Sequence, residues 1–111
     1  MEELMKVFKD NSFTLKQETS KASEFEHIHT EEVVYLLPSK EITVALNPVT
    51  VENIFLLKNA AKGLTHSTAL KKFPKRINTG ETPIPYGYSL KFQSAEELSI
   101  FLREFNLLTI K

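Results

Sequence analysis

The chain contains no cysteine. Disulfides, cysteine-bound zinc, iron–sulfur clusters and thiol nucleophiles are excluded together. Glycine is scarce, three in 111 residues, which leaves little material for the loops that cradle phosphate groups. Long apolar runs are missing too: the longest, such as Val33–Leu37, are about five residues, against about twenty for a membrane span. The start, Met1-Glu2-Glu3-Leu4, lacks the basic and apolar stretches of a secretory signal. No nucleophile elbow, phosphate-binding glycine loop or paired acidic motif with a recognisable role is present. Net charge is absent as well, since 14 Lys and Arg balance 14 Asp and Glu. These absences lead us to expect a cytoplasmic, non-catalytic protein with no cofactor, no membrane contact and one domain over residues 1–111.

Apolar material is plentiful. Hydrophobic residues make up 41% of the chain, with eight Phe and three Tyr. A domain near this length hides roughly two-thirds of the surface its unfolded chain exposes, so a true core is expected rather than disorder.

Zero net charge conceals a segregation. Residues 1–32 carry eight acids against four lysines, net −4. Residues 58–91 carry Lys58, Lys62, Lys71, Lys72, Lys75, Arg76 and Lys91 against Glu81 alone, net +6. A concentrated positive segment attracts phosphate or an acidic protein surface whatever the total. Lysine outnumbers arginine twelve to two, which favours diffuse attraction over the bidentate reading that arginine performs. The plain alternative is a set of solvated lysines that serve solubility.

The local patterns suggest an α+β fold. Residues 1–10 have apolar positions for one helical turn or an extended arm. Phe13 and Leu15 stand at strand spacing, Glu18–Glu24 is polar and loop-like, and Phe25–Leu37 reads as a strand entering a core. Ile42–Leu46 follows across Pro38-Ser39-Lys40-Glu41, which predicts a hairpin over 33–46. A helix is expected near 50–62, capped by Asn47 or Thr50 and stopped at Gly63. Ser67–Phe73 could add a short helix, and 74–85, with three prolines, reads as a long loop. Tyr86–Phe92 is a strand. Ser94-Ala95-Glu96-Glu97 matches a capping box and opens a helix over 94–105, whose stripe is Leu98, Phe101, Leu102 and Phe105. Leu107–Ile110 reads as a last strand. The expected architecture is an antiparallel sheet of N-terminal strands and the 33–46 hairpin, packed by those helices. From 41 to 111 the order suits a ferredoxin-like arrangement whose missing strand falls between 64 and 82.

Four constellations bear on function. Lys71, Lys72, Lys75 and Arg76 precede Tyr86-Gly87-Tyr88 and Lys91. Lysines attract phosphates and exposed aromatics stack on unpaired bases, and Gly87 would let a backbone or base come close. These seven basic and tyrosyl residues are the candidate binding site, unless Phe73, Tyr86 and Phe92 are merely core. The third-strand pattern of RNA-recognition motifs is met at Gly87-Tyr88-Ser89 only. Tyr86, Leu90 and Lys91 depart from it, and Thr43 stands where a stacking aromatic is usual on the first strand, so no family membership follows. His27, His29 and Glu31 would share one side of a strand and suit a divalent metal; an exposed polar edge is the simpler account. Tyr35, Phe55, Phe101 and Phe105 read as core.

The leading expectation is a small binding protein whose basic segment 71–91 engages nucleic acid or another polyanion. The alternative is a protein-interaction module, an inhibitor or adaptor, docking through a sheet edge or the 74–85 loop. Its opposed charges would also permit a homodimer.

Overall fold

In the computed structural model, which describes residues 2–61, 63–77 and 79–110, the chain opens with a helix, α1 (Glu2–Asp10). This is more than one turn or an arm. Leu4, Met5, Val7 and Phe8 form a single stripe that packs against the core, and Glu2 and Glu3 lie at the end where the helix dipole favours negative charge. Ser12, at φ 70°, turns the chain into β1 (Phe13–Glu18). The polar stretch after it is mostly hairpin rather than loop. The hydroxyl of Thr19 accepts from the amides of Lys21 and Ala22, and β2 (Ser23–His27) starts at once. The strand expected over Phe25–Leu37 is two strands, because a turn with Glu31 at φ 65° separates β2 from β3 (Val33–Leu37). β4 (Ile42–Leu46) completes the predicted hairpin, with Val34 opposite Leu46 and Leu37 opposite Thr43.

The helix expected near 50–62 is two short helices, α2 (Pro48–Asn53) and α3 (Phe55–Ala60). Asn47 caps the first by accepting from the Val49 amide at 3.0 Å, with Pro48 in the first turn. Ile54 sits between them in extended conformation, φ −126° and ψ 109°. Val49, Thr50, Val51 and Ile54 are all β-branched, which lowers the helix preference of this stretch. The break turns Phe55 outward, 75% exposed, so it is not a core residue as its spacing suggested. Tyr35 and Phe105 are fully buried and Phe101 is half-buried against the core.

Gly63 does not stop a helix; it begins β5 (Gly63–His66). Ser67–Phe73 is a succession of turns, with the Leu70 amide donating to Ser67 and the Phe73 amide to Leu70, rather than a helix. The expected long loop is partly ladder. β6 (Lys75–Arg76) pairs with the start of β7 (Ile84–Phe92), Lys75 opposite Pro85 and Arg76 opposite Ile84. α4 (Ala95–Leu108) follows. The Ser94 hydroxyl accepts from the Glu97 amide at 3.1 Å, and the Glu97 carboxylate accepts from Gln93, one residue earlier than the standard box. The stripe of α4 continues to Leu108, so the strand expected at 107–110 is replaced by the end of this helix and a turn at Thr109.

Among the described residues there are seven strands and four helices. The sheet order is β1-β2-β3-β4-β7-β5, every pairing antiparallel, with β6 against β7. β4 and β5 flank β7 and run the same way, joined by α2 and α3. Among the described residues there is no closing strand of a ferredoxin-like unit, and β3 stands beside β4. One face of the sheet bears the helices, where Phe25, Val34, Leu36, Val44, Leu46 and Leu90 meet Phe8, Leu98, Leu102 and Phe105. The other face is covered by the 67–74 segment, whose Leu70 and Phe73 rest on Tyr35 and Ala45.

Candidate nucleic-acid interface

Successive side chains of a strand point to opposite faces. Tyr86, Tyr88 and Leu90 of β7 therefore share the helix-bearing face, and Gly87, Ser89 and Lys91 the other. Directly opposed residues share a face as well. β5 sets His66 opposite Tyr86 and Leu64 opposite Tyr88, while β6 sets Arg76 opposite Ile84. The flanks are fixed by the backbone: the Ser67 amide donates to Pro85 and the Tyr86 amide to Pro74. Neighbouring residues of β7 thus bond to β5 on one side and to the β6 chain on the other.

Three flat side chains result, side by side across the strands. The His66 ring stacks on Tyr86 with centres 5.9 Å apart and planes 23° apart. The Arg76 guanidinium carbon lies 5.1 Å from the centre of the same tyrosyl ring, within cation–π range. Tyr88 continues the row. Its hydroxyl accepts from the Lys58 ammonium at 3.0 Å and donates to the Glu52 carboxylate at 2.9 Å. The ammonium is 5.0 Å from the ring centre. That hydrogen bond, with the nearby negative charge of Glu52, raises the pKa of Lys58, so it stays a cation. Arg76 and Lys58 are exposed and the two tyrosines half-buried. Half-buried rings beside exposed cationic ends are the two elements that binding of an unpaired base uses.

The other candidate residues go elsewhere. Lys75, opposite Pro85, belongs to the far face. Lys71 and Lys72 are exposed on the segment that covers that face, and the Lys72 amide donates to the Tyr35 hydroxyl at 3.0 Å. Lys91, at the far end of β7, pairs with Glu41 at 3.5 Å. Lys62 lies outside the described residues. The seven residues therefore divide: Arg76, Tyr86 and Tyr88 come together, while the four lysines border the opposite face. Gly87 admits neither base nor foreign backbone. A Cβ there would stand 2.9 Å from the Leu46 carbonyl oxygen and 3.1 Å from the Phe73 ring, so the close approach it permits is that of Phe73. The partial motif match at Gly87-Tyr88-Ser89 builds no platform of that family's kind, since α2 and α3 reach over Tyr88. His66 and Lys58 were not foreseen. Their placement depends on strand register and on contacts across 20 to 30 residues of sequence, which no local pattern carries.

The strand that would align His27, His29 and Glu31 ends at His27. The His27 Nδ1 accepts from the amides of His29 and Thr30 at 3.1 and 3.2 Å, so this imidazole closes a turn. Among the described residues no group of three His, Asp or Glu is placed to hold a metal ion. A recess of about 710 Å³ between the ends of the hairpins is lined by Leu4, Ala22, Leu37, Lys40 and Ile42 among others and by none of the candidate residues. No helix among the described residues is long and apolar enough to cross a membrane. No protein-family model matches the chain, and no curated protein matches it in sequence.

Proposed function

We propose that this is a non-catalytic binding protein that takes single-stranded nucleic acid, with the basic segment 71–91 as its contact region and the cytoplasm as its setting. The observation that supports this most is the row His66–Tyr86–Arg76, extended by Tyr88 and Lys58. It offers stacking surface and fixed positive charge at one place on a sheet face. Arg76 and Lys58 would meet phosphates, and Tyr86 would carry a base. Lys71, Lys72 and Lys75 add attraction at longer range from the other face.

Fluorescence anisotropy with labelled single-stranded and duplex oligonucleotides, at two salt concentrations, tests it. Single strands should bind better, and affinity should fall as salt rises because phosphate contacts release counterions. Tyr86→Ala should weaken binding by about 1–3 kcal/mol, the worth of one stacked base. Absence of binding at low salt removes the proposal.

A protein partner is the second reading, an interaction module docking through a sheet edge or the 74–85 loop. Apolar exposure favours it: Phe55, Leu56 and Ile77 face outward, and exposed apolar groups of this kind mark interaction surfaces when they lie together. Asn78, in that loop, lies outside the described residues. Protein recovered after nuclease treatment, and lost in an Ile77→Glu variant, would favour this reading over the first.

A further inference from the structure

β1 and β5 stand at the two ends of the strand order, with β6 a two-residue strand beside β7, and the two ends are built differently. β1 is protected as edge strands usually are. Its register slips between Leu15 and Gln17, and Lys16 and Glu18 are exposed along it. Irregularity and charge are the ordinary guards against pairing with another chain. β5, Gly63-Leu64-Thr65-His66, has neither. It pairs with β7 in unbroken register and contains no Lys, Arg, Asp or Glu. Its outer side has no strand partner among the described residues.

Because the Ser67 amide bonds to the Pro85 carbonyl, alternation of the ladder turns Thr65 inward to Gly87 and turns the N–H and C=O of Leu64 and His66 outward. Two outward residues flanking one inward residue form a self-complementary unit. In a two-fold antiparallel pairing, Leu64 meets His66 of the second copy and His66 meets its Leu64, giving four main-chain hydrogen bonds. Thr65 meets its own equivalent in the intervening non-hydrogen-bonded position. Leu64, 41% exposed, is covered by the imidazole of the other copy.

We infer that β5 is the contact through which two copies of this chain associate, joining their sheets edge to edge. The occupant is a second copy because the pattern Leu64-Thr65-His66 is complementary to itself under a two-fold axis. Four residues make a small contact beside the roughly 1,200–2,000 Å² of a standard interface, so the dimer is weak and depends on concentration. The inference does not rest on nucleic-acid binding, and it is tested without nucleic acid.

The absence of cysteine provides a direct test. Equivalent Thr65 residues in such a pairing have Cα atoms about 4.5 Å apart, within the span of a disulfide. A Thr65→Cys variant should therefore form a covalent dimer on mild oxidation, and a Thr14→Cys variant, on the guarded edge, should not. Sedimentation velocity of the unmodified chain from about 5 to 500 μM should show a monomer–dimer equilibrium. Leu64→Lys, which adds an edge charge, and Leu64→Pro, which removes an outward donor without touching the bond to β7, should both be monomeric with unchanged circular dichroism. A chain that stays monomeric throughout that range overturns the inference. So does equal cross-linking at positions 14 and 65, or dimerisation that survives both Leu64 variants.

Discussion

The two faces of the sheet are covered by very different means. On one, α1 and α4 lay Phe8, Leu98, Leu102 and Phe105 over five strands, and the Phe8 ring stacks on Phe25 with centres 3.9 Å apart. On the other, a turn-rich segment without regular structure supplies only Leu70 and Phe73 as fully buried cover. That second face also buries polar groups. Glu24 is buried beside Tyr35, whose hydroxyl donates to its carboxylate at 2.8 Å and accepts from the Lys72 amide. Burial first, and the neighbouring carboxylate with it, holds the Tyr35 phenol far above its ordinary pKa. Thick apolar cover is needed where helices dock. A thin cover suffices where one hydrogen-bonded pair and one aromatic ring fix its place.

The comparison can be broken most severely from the helical side. Phe105→Ala should cost about 3–5 kcal/mol in urea unfolding, the usual loss for a large buried aromatic. A loss below about 1 kcal/mol would mean that the helices are not the main support. On the thin side, Gly87→Ala should cost about 1–3 kcal/mol, because the new methyl group must displace the Phe73 ring or the Leu46 carbonyl. Amides of residues 67–73 should then exchange with solvent faster than those of β3 and β4, which hydrogen exchange would register directly.

Tyr35→Phe should cost about 1–3 kcal/mol, since it leaves the Glu24 carboxylate and the Lys72 amide without their shared partner. Retention of full stability would show that water reaches both groups. The smallest effect is a pH dependence on the helical side. Burial, and then the charge of His29, depress the pKa of His27 in the folded chain. The unfolded chain binds that proton more readily. Stability from this group is therefore complete above the ordinary imidazole value of about 6.5 and declines as pH falls through it. Urea midpoints between about pH 7.5 and 5.5 should fall toward the acid end, and His27→Gln should flatten the trend.

What the sequence disclosed followed the range of each signal. The Ser94 cap with the apolar stripe behind it and the 33–46 hairpin are local patterns, and both form, though Glu97 reaches the Gln93 amide rather than that of Ser94. The break at Ile54 had a local trace in the β-branched residues Val49, Thr50, Val51 and Ile54, but the helical spacing of 51, 54, 55 and 58 outweighed it, and Phe55 was misplaced with it. β5 could not be read from four residues of mixed character, since pairing with β7 creates it. The candidate site was legible by half. Arg76, Tyr86 and Tyr88 were found from basic and aromatic content, but His66 joins them only through register. The lysines were grouped with Arg76 by adjacency in sequence, and a strand pair that alternates faces separated Lys75 from Arg76.

One tie spans almost the whole chain. The Asn106 side chain donates to the Asn11 carbonyl at 2.8 Å, and Asn11 donates to Ser99 at 3.2 Å. Phe8, near the beginning, shares its core with Phe105. During synthesis, then, the strands from β1 to β4 emerge long before the helix that must shelter them. α1 can cover their apolar face only in part, so closure of this core waits until α4 has left the ribosome.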